Sequence, residues 1–333
     1  MPESYLRRWA ENGQIRVTEI DGCRTYLTSS KRAAKITDYY RVESDDIDPE
    51  LVPPLLFEVF FSDVERAGKE SIDVLLGLSG ATLDADSRSS LARYIALQCT
   101  RGQSYRSQSR KLANDIFRLQ YDGMTEDGIR ALLSRRGMEW DEDVVREIRQ
   151  QVEEVENGTL FVSPQDAAVV GEAVRSAEWM AEYLYVRDWV VYRTPPVLLT
   201  CDEPVILIGG PGQPRAERPG VATAGVVIFP LAPDAVLVMF RRDLAPSGAH
   251  ELDHAETAEV NLEILANSSR WAFERPSRNM ARHRRVPQVA APTEIERIGL
   301  EPDTDNELIR TYRPNRWANA ELQPDWPVAR GWR

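Results

Sequence analysis

The chain has 333 residues, 42% of them hydrophobic and 28% charged, and 53 acidic against 41 basic side chains leave a formal net charge of −12. That composition excludes wholesale disorder, and the length suffices to bury a core without metal or disulfide staples. No run approaches the ~20 consecutive apolar residues of a membrane helix, and the negative charge argues against indiscriminate binding to nucleic acid or anionic lipid.

From the N-terminus, Arg7 and Arg8 are followed by no apolar stretch, so the opening does not read as a secretory signal. A cytoplasmic location without a membrane partner is expected. Residues 5–10 suggest a short helix and residues 15–20 and 24–27 the arms of a hairpin, joined at Asp21-Gly22, a dipeptide suited to a tight turn. Pro53 and Pro54 suit a first helical turn, after which Leu55, Leu56, Val59, Phe60 and Val64 recur at helical spacing. Further helices are expected over 87–100, 107–119, 125–134 and 142–155, with Thr125 as an N-cap, and another over 164–185. Five short, β-branched or aromatic runs follow, at 189–192, 197–199, 205–208, 226–229 and 236–240. The Gly/Pro-rich stretch 209–225 is too long for a tight hairpin and suggests a lid. A helix near 256–271 precedes a Pro- and Arg-rich end.

This pattern predicts an α+β fold with one central antiparallel or mixed sheet of about five strands and a large helical subdomain. Four segments are expected: an N-terminal hairpin segment (1–52) packing on the body, a helical subdomain (53–186), a sheet subdomain (187–272) and a C-terminal strap (273–333). Trp317, Trp326 and Trp332 argue that the strap docks, on the body or on a second copy in a homo-oligomer, because large aromatics gain from burial. Cys23, Cys99 and Cys201 are odd in number and widely spaced, which fits neither a disulfide framework nor a structural zinc site.

Several short motifs occur in order. Pro2, Tyr5, Leu6, Arg7 and Trp9 open the chain, and Asp38-Tyr39-Tyr40, Glu65, Gln98 with Arg101, Trp189, Thr200-Cys201-Asp202-Glu203-Pro204, Phe229-Pro230-Leu231 and Asn261 follow. Together they resemble the bacterial family called domain of unknown function 4238, over roughly residues 2–272, and the resemblance implies no established activity. The family's opening motif runs His-Tyr-Val-Pro, two residues, Tyr-Leu-Arg and an aromatic. Here Met1 stands where the valine is expected, so an in-frame upstream extension carrying histidine is expected; genuine loss of that histidine is the other reading.

The chemistry concentrates on Glu65, Arg101 and Asp202. Glu58 and Glu65 are two helical turns apart on one face, and Gln98 and Arg101 share a face at three-residue spacing. Carboxylates at Glu65 and Asp202 would hold a divalent metal or form an acid/base pair, and Arg101 would clamp an anion. Gln98, Tyr5 and Tyr40 are the candidate substrate-binding side chains. A buried Glu–Arg–Asp tie between helices and sheet is the equal alternative, and an Asx-type turn is the alternative for Asp202. Cys201 has no partnered base in the sequence, and His250 with His254 lack the His-Glu-x-x-His pattern, so both read as structural or solvated. Arg270, Arg275, Arg278, Arg282, Arg284 and Arg285 against Glu274 form a basic cluster. Its Arg275 to Arg285 part would serve an anionic substrate or nucleic acid, or pin the tail to the acidic body. No P-loop, dinucleotide fingerprint or nucleophile elbow occurs. The leading expectation is a hydrolase-like enzyme acting on a phosphodiester or other anionic substrate, with a divalent metal as the candidate cofactor. A non-catalytic interaction protein and a small-molecule biosynthetic enzyme are the alternatives.

Overall fold

The computed structural model describes residues 1–21, 24–33, 56–77, 83–121, 123–244, 249–289, 296–298, 308–310 and 315–328. Gly22, Cys23, the Asp38-Tyr39-Tyr40 landmark, residues 53–55, Ser247-Gly248 and Trp332 lie outside the described residues, as does the side chain of Glu58. The chain forms two compact units, one of Met1–Gln103 with Val170–Arg333 and one of Ser104–Val169.

The first unit opens with α1 (Glu3–Leu6), a 3-10 turn at Arg7–Trp9 and an antiparallel hairpin of β1 (Gln14–Glu19) and β2 (Thr25–Ser29). Two long helices follow, α2 (Leu56–Gly77) and α3 (Ala85–Thr100), the latter capped by Asp84, which accepts the Ser87 N–H. They meet where Gly68 lacks a side chain: a Cβ there would lie 2.3 Å from the Tyr94 ring. Any other residue at position 68 would push the helices apart.

The second unit is built from α4 (Gln103–Tyr121), α5 (Glu126–Arg135) and α6 (Glu142–Glu156). Thr125 caps α5 through the Gly128 N–H, and Asp141 caps α6 through those of Asp143 and Val144, each satisfying amides that a helix start leaves open. Ile129, Leu133 and Val145 form its small core. The chain leaves along α7 (Asp166–Tyr185).

Strands β3 (Asp188–Arg193), β4 (Thr200–Cys201), β5 (Ile206–Ile208), β6 (Val226–Ala232) and β7 (Ala235–Phe240) come next. Then follow α8 (His254–Asn267), β8 (Trp271–Glu274), β9 (Glu296–Ile298) and β10 (Leu308–Arg310). The fold is α+β, but the single sheet of about five strands is corrected. The described residues form two four-stranded antiparallel sheets, ordered β2-β1-β8-β4 and β3-β7-β6-β5, and a two-stranded ribbon of β9 and β10. Two local causes explain the difference. The expected strand at 197–199 is irregular because its polar groups are taken by side chains and a loop. Asn261 accepts the Leu199 N–H and donates to the Val197 carbonyl, the Trp9 indole donates to the Leu198 carbonyl, and the Leu198 N–H donates to Pro233. Only Thr200 and Cys201 remain to pair, and they pair with β8, a strand that begins at the residue where the expected helix near 256–271 was to end.

Both faces of the β3-β7-β6-β5 sheet are covered, which is why β6 and β7 are apolar continuously rather than alternately. Val227, Phe229, Leu237 and Met239 join the core built on α2, α3 and the N-terminal segment. Val226, Ile228, Val236 and Val238 face the core that contains Val260 and Ile264 of α8.

The stretch 209–225 is fastened rather than poised as a lid. Buried Arg187 donates to the carbonyls of Val221, Ala224, Gly225 and Met239, with burial pushing its guanidinium down to about 10. Part of the C-terminal segment docks on the first unit, as expected from its tryptophans. Trp317 is buried and its indole donates to Glu263, which also pairs with Arg215, and Trp326 is buried in the α8 core. Arg316, 1% exposed, reaches Asp21 and the carbonyls of Pro287 and Ser268.

Candidate functional site

Glu65 projects from α2, three residues before the Gly68 contact, and Arg101 is the C-cap of α3. Arg101 Nη1 donates to Glu65 Oε1 at 2.5 Å, and the side chains are 6% and 28% exposed. Asp202 follows β4 directly, and its N–H donates to the Trp271 carbonyl at 3.0 Å. One carboxylate oxygen accepts the Ser269 N–H at 2.9 Å, and the other accepts those of Arg270 at 2.8 Å and Trp271 at 3.2 Å. Asp202 therefore caps the turn that starts β8 from another part of the chain, through amides 67 to 69 residues away, which differs from the alternative of a local Asx-type turn at the end of its own strand.

Arg101 and Glu65 are in direct contact, and the Met1 nitrogen is within electrostatic reach of both and of Asp202. Burial pushes the Asp202 carboxyl up to about 7 and the neighbouring Glu203 adds to the rise, while the three amides pull the other way. Two further charged residues stand at the same place. Glu203 is buried against Gly102, where a Cβ would lie 2.7 Å from its Oε1, and Arg218 lies 3.9 Å from its other oxygen. Gly102 thus lets the end of α3 touch the end of β4. Tyr94 is buried nearby, and burial holds its phenol well above the ordinary value.

The other candidates divide. Gln98 is 2% exposed, and neither of its amide atoms has a hydrogen-bond partner among the described residues, which is uncommon for a buried polar group. Tyr5 is internal: its hydroxyl donates to the Pro230 carbonyl and shares a 2.8 Å hydrogen bond with Thr200, so it ties the N-terminus to the sheets instead of facing a ligand. Tyr40 lies outside the described residues. Cys201 is fully buried, its thiol pushed up by burial and then by Asp202, and it donates to the Glu203 carbonyl, so it is a poor source of thiolate.

Among the described residues no three His, Cys, Asp or Glu side chains come together to hold a metal. Glu65 and Asp202 supply two carboxylates, already engaged by Arg101 and by three amides, and a hard divalent cation takes more oxygen ligands than that. The donor set does not fit the metal expectation. His250 and His254 do not share a helix either. The His250 carbonyl accepts the Arg193 N–H, whereas His254 opens α8 behind the Asp253 N-cap, which forms a capping box with Glu256. The basic segment after β8 is fixed in place: Glu11 accepts from the Ser277 N–H and hydroxyl, and Glu274 from the N–H groups of Met280 and Ala281.

Reasoning on sequence missed Glu203 and Arg218 as members of the site. Glu203 adjoins Asp202 in sequence, a signal that was present, whereas Arg218 arrives from the fastened 209–225 stretch and carries no local mark. The model of the family described as Protein of unknown function (DUF4238) matches residues 1–278. No curated protein and no solved structure matches the chain. The chain belongs to the DUF4238 family.

Proposed function

We propose that this DUF4238 member is a hydrolase-like enzyme acting on a phosphodiester or other anionic substrate. Asp202 is the proton-transferring group, Glu65 its partner carboxylate, and Arg101 the cation that meets the substrate's charge. One observation supports the reading above the others: Arg101 pairs directly with Glu65, the Met1 nitrogen is within electrostatic reach of that pair and of Asp202, and burial pushes the Asp202 carboxyl up to about 7. A carboxyl at that pKa holds and releases a proton at working pH, as a general acid or base requires. A guanidinium presents its N–H donors in a rigid fork whose geometry matches carboxylates and other anions. A purely structural tie is favoured by a different observation, that both Asp202 oxygens are already held by amides.

The test is turnover of bis(p-nitrophenyl) phosphate and p-nitrophenyl phosphate by the full chain, with melting followed for each variant. The expected result is a rate that changes across about pH 7 and falls by roughly 100-fold or more in Asp202→Asn, as loss of an acid/base group does. Arg101→Ala should abolish binding of the diester. Absence of turnover in the wild type, together with an Arg101→Ala variant that loses about 3 to 5 kcal/mol by stranding its acid partner, would establish the tie and reject the enzyme.

A further inference from the structure

We infer a second, separate ligand site: a cavity between α8 and the segment after β8 that takes a small phosphorylated molecule with an apolar portion. The cavity has a volume of about 490 Å³. That lies within the range of pockets that enclose metabolite-sized ligands. The inference does not rest on the Glu65, Arg101 and Asp202 centre.

One wall is α8, which presents His254, Ala258 and Asn261 at i, i+4 and i+7, a single helical face. The opposite wall carries Arg278, His283 and Arg284, and Val197, Leu199 and Met280 supply apolar surface. Asn261 belongs to the wall rather than to the ligand, because its amide already bonds Leu199 and Val197. Asn279 also lines the cavity, and its side-chain oxygen is buried with no hydrogen-bond partner among the described residues.

Charge selects the ligand class. Among the described residues that line the cavity are two arginines and two histidines and no acidic side chain, within a chain whose formal charge is −12. A positive concavity in an acidic body concentrates small anions. Arg278 also acts on Glu11. The wall is built before any ligand arrives: Glu11 holds Ser277, Glu274 holds Met280 and Ala281, and Arg16 donates to the Pro276 carbonyl at 2.6 Å. The helix start adds a side chain, His254, and its capping box takes the Asp253 and Glu256 N–H groups. No aromatic platform lines the cavity, whereas a single-stranded nucleic acid groove uses aromatic side chains on which bases stack. The phosphate would lie between Arg278, Arg284 and His283, with the apolar portion against Val197, Leu199 and Met280.

Calorimetric titration of the full chain with phenyl phosphate tests this. One molecule should bind per chain, more tightly than inorganic phosphate, and the double variant Arg278→Ala with Arg284→Ala should bind at least about tenfold more weakly through lost charge-assisted bonds. Both arginines are exposed, so the unliganded melting temperature should hold. Ala258→Trp fills the cavity while keeping every charge, and it should abolish binding. The inference is overturned if the wild type binds no phenyl phosphate at roughly 10 mM, an affinity weaker than any useful site. It is also overturned if Ala258→Trp binds normally, or if a single-stranded RNA binds with affinity that rises with length and ignores that substitution.

Discussion

The two units secure themselves by different means. In the first, every residue of β6 and β7 is buried, and Tyr5, Tyr94 and Phe229 meet ring to ring in one core. In the second, burial is confined to stripes such as Val145, Val152 and Val155 on α6, and the surface carries fans of charge such as Arg130 with Glu126, Asp127 and Glu142. The first therefore draws its stability from area removed from water. The second depends on narrow helical faces, caps and screened charges, each a smaller contribution. Temperature and denaturant act on both, but salt should discriminate between them.

Deleting core volume gives the largest effect. Phe229→Ala should cost about 3 to 5 kcal/mol in urea unfolding, through lost burial and a cavity the surrounding rings cannot fill. Leu133→Ala in the second unit should fall toward the low end of the roughly 2 to 5 kcal/mol range for such changes, because a three-residue core relaxes more easily. Equal losses would break the contrast.

A pH series comes next. Folding raises the Asp202 carboxyl from 3.8 to about 7, so the folded state keeps a proton that the unfolded chain releases. That contribution is fully present below about pH 4 and is lost as pH rises through about 7. Its size is on the order of 4 kcal/mol. Asp202→Asn cannot titrate, so the stability of this variant relative to wild type should improve steadily from pH 4 to 8, whatever the substitution costs at the outset. Burial raises Glu263 and Glu274 in the same direction. In the second unit Glu142 is lowered by its Arg130 bond, so its contribution is present at neutral pH and lost on acidification. A parallel pH response for wild type and Asp202→Asn would remove the buried carboxyl from the account.

The smallest effect is Arg130→Ala. It removes three exposed ion pairs, and melting should drop slightly at low salt and not at all near 0.5 M, where such pairs are screened.

Much of this was legible in sequence where the signal is local. Helix periodicity placed α3, α5 and α6 to within a few residues, the Thr125 cap is as expected, and the family resemblance follows from short ordered motifs. What was not legible is decided by partners far along the chain. Residues 197–199 have strand composition but bond to Asn261 and Trp9, and β8 is four residues that become a strand only because β1 and β4 flank them. The approach of Arg101 to Glu65 could be anticipated from helix faces. The three amides on Asp202, and Glu203 beneath Gly102, depend on a turn and a close approach that no periodicity encodes.

The amide of Asn261 has a directional consequence. It gives a hydrogen to Val197 and takes one from Leu199, so this position needs a group that is donor and acceptor at once, at the reach of one methylene. Aspartate would set two acceptors against each other at Val197, and leucine would leave both backbone groups without partners. The same amide forms a wall of the cavity and grips the chain three residues before Asp202. A shift of α8 that widened the cavity would have to break both bonds or carry that segment with it. Asn261 thus ties the cavity wall to the segment that leads into Asp202.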